Sequence, residues 1–301
     1  MQRLEHRFTA MGGPCAIRVD CDDEGAALAA IARAEAEVRR LEGKYSRYRE
    51  DSLLSEINRL AGTGEALSVD AETAGLLHYA QTLWEQSNGL FDPTSGVLRR
   101  AWDFRSGRLP EPSEIDRWLS LVGWERVCWN GDSIALEVAG MELDLGGCVK
   151  EYAADAAAAA LAGAELDHAL VDLAGDMACT GGQADGAPWR IGIRNPTGRR
   201  RAAARLDLPL GGIASSGDYE RCIEIDGRRY GHILDPRTGW PVEGLVAVSV
   251  AAPQCLVAGS FATLAMLRPE RDALDWLATL ELPWLAVQRG GEVRGSLLLS
   301  G

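Results

Sequence analysis

An α+β fold, a mixed β-sheet core with helices packed around it, is predicted by three features of the 301-residue chain. The first third carries apolar stripes at helical spacing, whereas the remainder breaks into short β-like runs separated by turn dipeptides. Strand and helix segments then mix without the regular alternation of a doubly wound sheet. No repeat, low-complexity tract or linker interrupts the sequence, which reads as one domain spanning residues 1–301.

Residues 15–19 alternate as an opening strand. From Glu24, the positions Leu28, Ile31, Ala34, Val38 and Leu41 recur at helical spacing and predict a helix ending before Gly43. Asp51 is placed to cap a second helix carrying Leu54, Ile57 and Leu60. Asp70 is placed to cap a third, through Leu76, Leu77, Ala80, Leu83 and Trp84, stopping near Gly89. Around Asn130-Gly131, residues 127–129 and 134–138 predict a hairpin. Residues 141–145 read as a short strand running into Gly146-Gly147 and an Ala-rich helix to about Ala162. Residues 168–173, 189–193 and 205–208 read as strands. Residues 222–225 and 229–234 form a hairpin about Asp226-Gly227, residues 246–250 a strand, and 255–267 a helix. Residues 284–287 and 293–298 close the chain as a strand pair.

Composition narrows the function. Thirty-one basic against 44 acidic residues leave a net charge of −13, which disfavours general affinity for nucleic acid. No apolar run is long enough for a membrane span. The opening Met1-Gln-Arg-Leu-Glu-His-Arg has no apolar core after its charges, so no signal peptide or lipoprotein signal is expected and a cytoplasmic location is. Seven scattered cysteines without a Cys-x-x-Cys pair suggest neither a disulfide framework nor a zinc site. Lys44 and Lys150 are the only lysines, so each calls for its own explanation.

Six polar clusters lie where strands end or helices begin. In Asp144-Leu-Gly-Gly-Cys-Val-Lys150-Glu-Tyr-Ala-Ala-Asp155, two glycines let the backbone approach a ligand, and the helix N-terminus with Lys150 suits an anion. Leu90-Phe-Asp92-Pro-Thr94 and Gly231-His232-Ile-Leu-Asp235-Pro-Arg237-Thr-Gly239 are Asp-Pro turns, the second gathering a base, an anion and a planar cation. Ser215-Ser-Gly-Asp218-Tyr219 reads as a tight, hydroxyl-rich loop. Val171-Asp-Leu-Ala-Gly175-Asp176 is another strand-to-turn carrying acids. Tyr45-Ser-Arg-Tyr48-Arg49 interleaves rings and cations that suit a planar ring and a phosphate.

In their joint order these segments, together with Ala10-Met-Gly12, Asn58 and Ala262-Thr263, resemble the ApbE family of FAD:protein FMN transferases along nearly the whole chain. The resemblance implies an ApbE-like domain that binds FAD and moves its FMN half onto a Thr or Ser hydroxyl of an acceptor flavoprotein, releasing AMP. It implies that Met11, Tyr48, Leu90, Phe91, Asp92, Asp144, Lys150, Ser216, Ile233 and Arg237 bind the flavin nucleotide. It also implies that Mg²⁺ is held partly by the Gly147 carbonyl and the Thr263 hydroxyl, and that His232 and Asp235 serve catalysis, His232 by assisting deprotonation of the incoming hydroxyl. Three positions depart from the family pattern. Its metal-binding Asp, four residues before the Thr, is Gly259 here; the Gly after the motif lysine is Glu151; and Ala174 stands where a second Gly is common. The missing acid predicts that Gly259→Asp tightens Mg²⁺ binding. It also leaves two alternatives to an active transferase: an impaired FAD-binding protein, and a hydrolase splitting FAD into FMN and AMP.

Overall fold

The computed structural model describes residues 1–194, 196, 204–219 and 221–297. Its core is an eight-stranded sheet in the order Gln2–Ala10, Gly13–Cys21, Ala169–Leu173, Asp176–Cys179, Gly211–Gly217, Ala247–Ala252, Trp284–Val287, Val293–Gly295. The pairing expected as mixed is antiparallel at every neighbouring pair. Two-residue loops enforce this at Met11-Gly12 and Ala174-Gly175, where both positions take the left-handed φ (52° and 76°, then 54° and 100°) that matches strand twist.

Side chains alternate across the sheet. Ile17, Val171, Ala214, Val248 and Val250 face the helices, while Leu170, Cys179, Ile213, Leu285 and Val287 face a ribbon formed by Trp189–Ile193 and Ala204–Leu208. Three helices lie on the first face: Glu24–Tyr45, Val149–Ala162 and Cys255–Met266. Small residues bring them close. Ala27, Ala30 and Ala34 on the first and Ala153, Ala154, Ala157 and Ala158 on the second are all buried. At Gly212 an added Cβ would come within 2.6 Å of the Cys255 backbone.

Several boundaries differ from the sequence pattern for identifiable reasons. The first helix runs through Gly43 to Tyr45 because tertiary contacts hold its last turn: Tyr45 Oη lies 2.9 Å from Thr73 Oγ1, and Lys44 pairs with Asp70 (2.6 Å) and Glu72 (2.8 Å). That network accounts for one of the two lysines. Ser52, not Asp51, caps Leu53–Arg59, since Asp51 is engaged by Arg49. Asp70 does cap Ala71–Gln86. Residues 141–145 are not a strand, because the Asn58 amide bonds both backbone groups of Leu143 (2.7 and 3.0 Å) and the Asp144 N–H donates to the Pro93 carbonyl. The segment read as a loop at 215–219 begins inside a strand, with Ser215 opposite Ser249 and Ser216 opposite Val248. Strand Gln2–Ala10 and helices Pro112–Leu119 and Glu270–Thr279 lie outside the segments expected to be regular, although the strand alternates in burial and the first of these helices opens with a proline and a capping box. The last strand closes at Gly295, and residue 298 of the expected strand lies outside the described residues. Among the described residues no helix is long and apolar enough to cross a membrane.

The Ala-rich helix also completes its neighbour. Cys255–Met266 has no side-chain cap of its own at Gln254; instead Asp155 accepts the N–H groups of Cys255 (2.8 Å) and Leu256 (2.9 Å). Asp155→Ala leaves these donors without an acceptor, and a loss of about 1–3 kcal/mol is expected in chemical denaturation.

Hydrogen bonds from Arg40, opposed by partial burial and reinforced by Lys44, hold Glu72 down at about 2. A depressed folded value means that its stabilisation is present above the ordinary glutamate range and is lost as pH falls toward 2. Glu72→Gln should therefore cost about 1 kcal/mol at neutral pH, after allowance for solvent screening. The gap from wild type should close between about pH 4.5 and 2 in denaturation curves taken across that range.

Candidate functional site

Several strand ends and helix starts converge around the Asp144–Lys150 turn. Asp144 forms an ion pair with Arg47 and accepts the Gly146 N–H at 2.8 Å, which shapes the Gly146-Gly147 corner. Gly96 makes room for it: a Cβ there would overlap Asp144 Cβ and lie 2.8 Å from its Oδ2. Gly147 lies over buried Phe91, with space for a Cβ only 3.3 Å from the ring. Leu90 is partly buried against the same core.

Lys150 projects from the first turn of the Ala-rich helix toward the sheet, where its Nζ lies 2.6 Å from Asp176 Oδ2. Asp176 is only 2% exposed, and its Oδ1 accepts the Ser215 N–H at 3.1 Å. Burial disfavours the charged lysine, but the Asp176 and Glu151 carboxylates outweigh it and raise its proton affinity. Ser216 Oγ lies 3.2 Å from Thr263 Oγ1, joining the central strand to Cys255–Met266.

Glu151, the next residue of the helix, is 8% exposed, and its Oε2 has no hydrogen-bond partner in the protein. Burial first, then the neighbouring Asp176, raise the proton affinity of its carboxyl, with Lys150 pulling the other way. Its side chain lies against Gly259, where a Cβ would be 2.5 Å from Glu151 Cγ and 2.9 Å from its Oε1. The side chain of Gly259→Asp, expected from the sequence to tighten Mg²⁺ binding, would grow into a volume that already holds a glutamate. Among the described residues no three His, Cys, Asp or Glu side chains converge on a ready metal cage.

Beyond Asp144 the chain opens into a cleft of about 440 Å³ lined by Arg47, Tyr48, Arg49, Glu50, Ser55 and Arg59. Tyr48 is 77% exposed, its ring lies under the Arg47 guanidinium, and its hydroxyl accepts from Arg47 at 2.8 Å. Although partial burial opposes ionisation, Arg47, Arg221 and Arg99 hold the Tyr48 hydroxyl below its ordinary value. This places Arg221 within electrostatic reach of the cleft. The Arg221 carbonyl lies 3.2 Å from His232 Nδ1, bringing the His232–Gly239 segment to the same side. Ile233 packs on the core and its carbonyl accepts the Val242 N–H.

Some of the expected residues are engaged in holding the scaffold. Both carboxylate oxygens of Asp92 are bonded inside the core, to the N–H and hydroxyl of Thr94 and the N–H of Trp124, and burial raises its proton affinity. Asp235 closes its own turn and pairs with exposed Arg237 at 2.7 Å. Trp102 pins that turn by donating to the Gly239 carbonyl. Met11 sits in the first hairpin loop, its N–H donating to Glu42 at 2.6 Å. The residues that sequence reasoning did not assign to the site are partners: Arg47 for Asp144, Asp176 for Lys150, Asn58 for the segment before Asp144, and Gly96 for its side chain. Three of these lie in the polar clusters or family-like segments, but Gly96 carries no sequence signal.

Comparison with known proteins gives the arrangement a class. The FAD:protein FMN transferase of Treponema pallidum is 32% identical over 273 residues, covering 84% of this chain and 75% of that protein. The one from Vibrio cholerae is 30% identical over 250 residues, covering 81% and 75%. Among solved structures, the ApbE protein of Thermotoga maritima superposes with a TM-score of 0.87 at 30% identity, over 98% of this chain and 97% of that one. The Vibrio cholerae flavin transferase ApbE gives 0.85 at 25% identity, over 99% and 98%. The chain is a transferase in class. Residues 11–285 match the ApbE family, and the chain belongs to it.

Gly96→Ala should displace Asp144 from its place beside Arg47. An overpacking cost of about 1–3 kcal/mol is expected, read as a lowered Tm.

Proposed function

We propose that the chain, acting as one domain over residues 1–301, is an FAD:protein FMN transferase. The observation that carries this reading is the Arg47–Asp144 ion pair, which ties the Gly146-Gly147 corner at the start of the Lys150 helix to an arginine-lined cleft with an exposed tyrosine ring. Such a site offers a cation and glycine backbone to a pyrophosphate, and an aromatic face to a planar ring.

In this reading the hydroxyl oxygen of an acceptor Thr or Ser attacks the FMN-side phosphorus of FAD. A phosphoester bond forms, the pyrophosphate P–O bond breaks, and AMP leaves. His232 takes the hydroxyl proton. Arg47 and Lys150 offset phosphate charge, Asp144 orients Arg47, and Asp235 with Arg237 keeps the His232 turn closed. Met11, Tyr48, Leu90, Phe91, Asp92, Ser216 and Ile233 shape the nucleotide pocket, directly or through the backbone they hold.

The oxygen donors present suit a hard divalent cation such as Mg²⁺: the Gly147 carbonyl, the Thr263 hydroxyl and the buried, unpartnered Glu151 Oε2. When bound, the ion would neutralise phosphate charge. The impaired-binder alternative rested on an absent acid at position 259. A carboxylate side chain stands in that space, so active transfer is the better reading.

The test combines FAD, Mg²⁺ and a separate acceptor carrying an Asp-x-x-(Ser/Thr)-Gly-(Ala/Ser)-Thr segment. The expected product is an acceptor with covalent flavin fluorescence and an equivalent of AMP. His232→Asn should slow transfer by about 100-fold or more while leaving FAD affinity in place. FAD bound without transfer, or free FMN and AMP with an unmodified acceptor, overturns the proposal.

A further inference from the structure

The two departures at positions 151 and 259 occupy one volume. Gly259 and Thr263 are one helical turn apart on Cys255–Met266, so a side chain at 259 would share the face that carries the Thr263 hydroxyl. The Ala-rich helix crosses that face, and Glu151 fills the space in front of Gly259, its Cγ 2.5 Å and its Oε1 2.9 Å from where a Cβ would stand. Glu151 is fixed in this direction by its helix. Four residues on, Asp155 reaches the same neighbour and accepts the Cys255 and Leu256 N–H groups, so the 151/155 face is the one turned toward Cys255–Met266.

We infer that Glu151 supplies the anionic oxygen of the divalent-cation site, from the helix facing the one that carries Thr263, and that Gly259 is glycine because this side chain needs its room. Taken with the functional reading above, on which it rests, this is an exchange of small and acidic residues between two packed helices.

Two observations independent of the motif support it. The Glu151 carboxyl is more than nine-tenths buried, its Oε2 receives no N–H or hydroxyl donor, and its close neighbour is a second buried acid, Asp176, a crowding of carboxyl oxygens that is costly unless a proton or a cation answers it. Lys150, the nearest cation, is already engaged by Asp176 at 2.6 Å. A glutamate retained only for packing would leave that oxygen unanswered, whereas a glutamine could fill the same volume without the charge.

The experiment titrates Mn²⁺ into the full chain, with and without FAD, following free Mn²⁺ by EPR and FAD by flavin fluorescence. Wild type is compared with Glu151→Gln, Gly259→Asp and the double variant Glu151→Gly with Gly259→Asp. Glu151→Gln should weaken Mn²⁺ binding by about tenfold or more and change FAD affinity measured in chelator by less than about threefold. Gly259→Asp alone should fail to tighten Mn²⁺ binding, because its side chain meets Glu151. The double variant, with the acid moved across, should recover wild-type Mn²⁺ affinity to within about threefold. Wild-type Mn²⁺ affinity in Glu151→Gln, or tighter binding in Gly259→Asp, overturns the assignment. If wild type binds FAD but not Mn²⁺, the assignment alone falls; if wild type does not bind FAD, the transferase reading falls with it.

Discussion

Burial of charge between the Ala-rich helix and the elements it packs against is the constraint on which the rest of the molecule depends. Lys150, Glu151 and Asp155 project from one short helix into a region where an unanswered charge costs several kcal/mol. Each therefore dictates something nearby. Asp155 requires free N–H groups and obtains them from the start of Cys255–Met266, which fixes where that helix begins. Lys150 requires an anion and finds Asp176 directly after the Ala174-Gly175 loop, which fixes that hairpin beneath it. The small residues complete the requirement. Alanines on two helices, with Gly212 and Gly259, bring backbones close enough for short acidic side chains to reach across. Packing and site are thus one arrangement, and the alanine content of residues 149–162 is part of the chemistry.

Where the amino-acid pattern carried the physics locally, the fold could be read from it. The Asp70 cap and the Asp226-Gly227 turn depend on neighbours a few residues away. Misreadings fall where distant contacts overrule local preference. Gly43 does not end its helix because Lys44 and Tyr45 are held from Asp70, Glu72 and Thr73. Residues 141–145 have the residue types of a strand, yet the Asn58 side chain takes the place of a pairing strand. Ser215 and Ser216 read as loop because small polar residues favour turns, but their neighbours on both sides are strands of the central sheet.

The candidate site shows the same division. Asp144, the glycine pair and Lys150 lie within seven residues, so their juxtaposition is visible in one dimension. Their partners are not: Arg47 lies 97 positions from Asp144, and Asn58 lies 85 from Leu143. The polar cluster at 45–49 and the isolated Asn58 signalled importance without showing what they would touch. Asp92 and Asp235 illustrate the converse. Each looked available as a carboxylate in a turn, whereas the structure commits both oxygens of Asp92 to the core and ties Asp235 to Arg237.

Residue-by-residue comparison with a family pattern treats each position as the owner of its chemical group, and positions 151 and 259 show why that is insufficient. A hard cation responds to the charge and placement of oxygen atoms, not to which helix carries them. Two helices packed face to face offer two backbones from which one point can be reached. A short acid from the near helix and a longer one from the facing helix are alternative solutions, and Glu has the extra methylene that the longer reach requires. Each solution imposes its own glycine, because the volume admits one side chain. An acid at both positions would crowd two like charges into a buried space, and glycine at both would leave no anion there. The pair therefore has to be read together, and a missing motif residue becomes evidence about its neighbour across the interface rather than about lost activity.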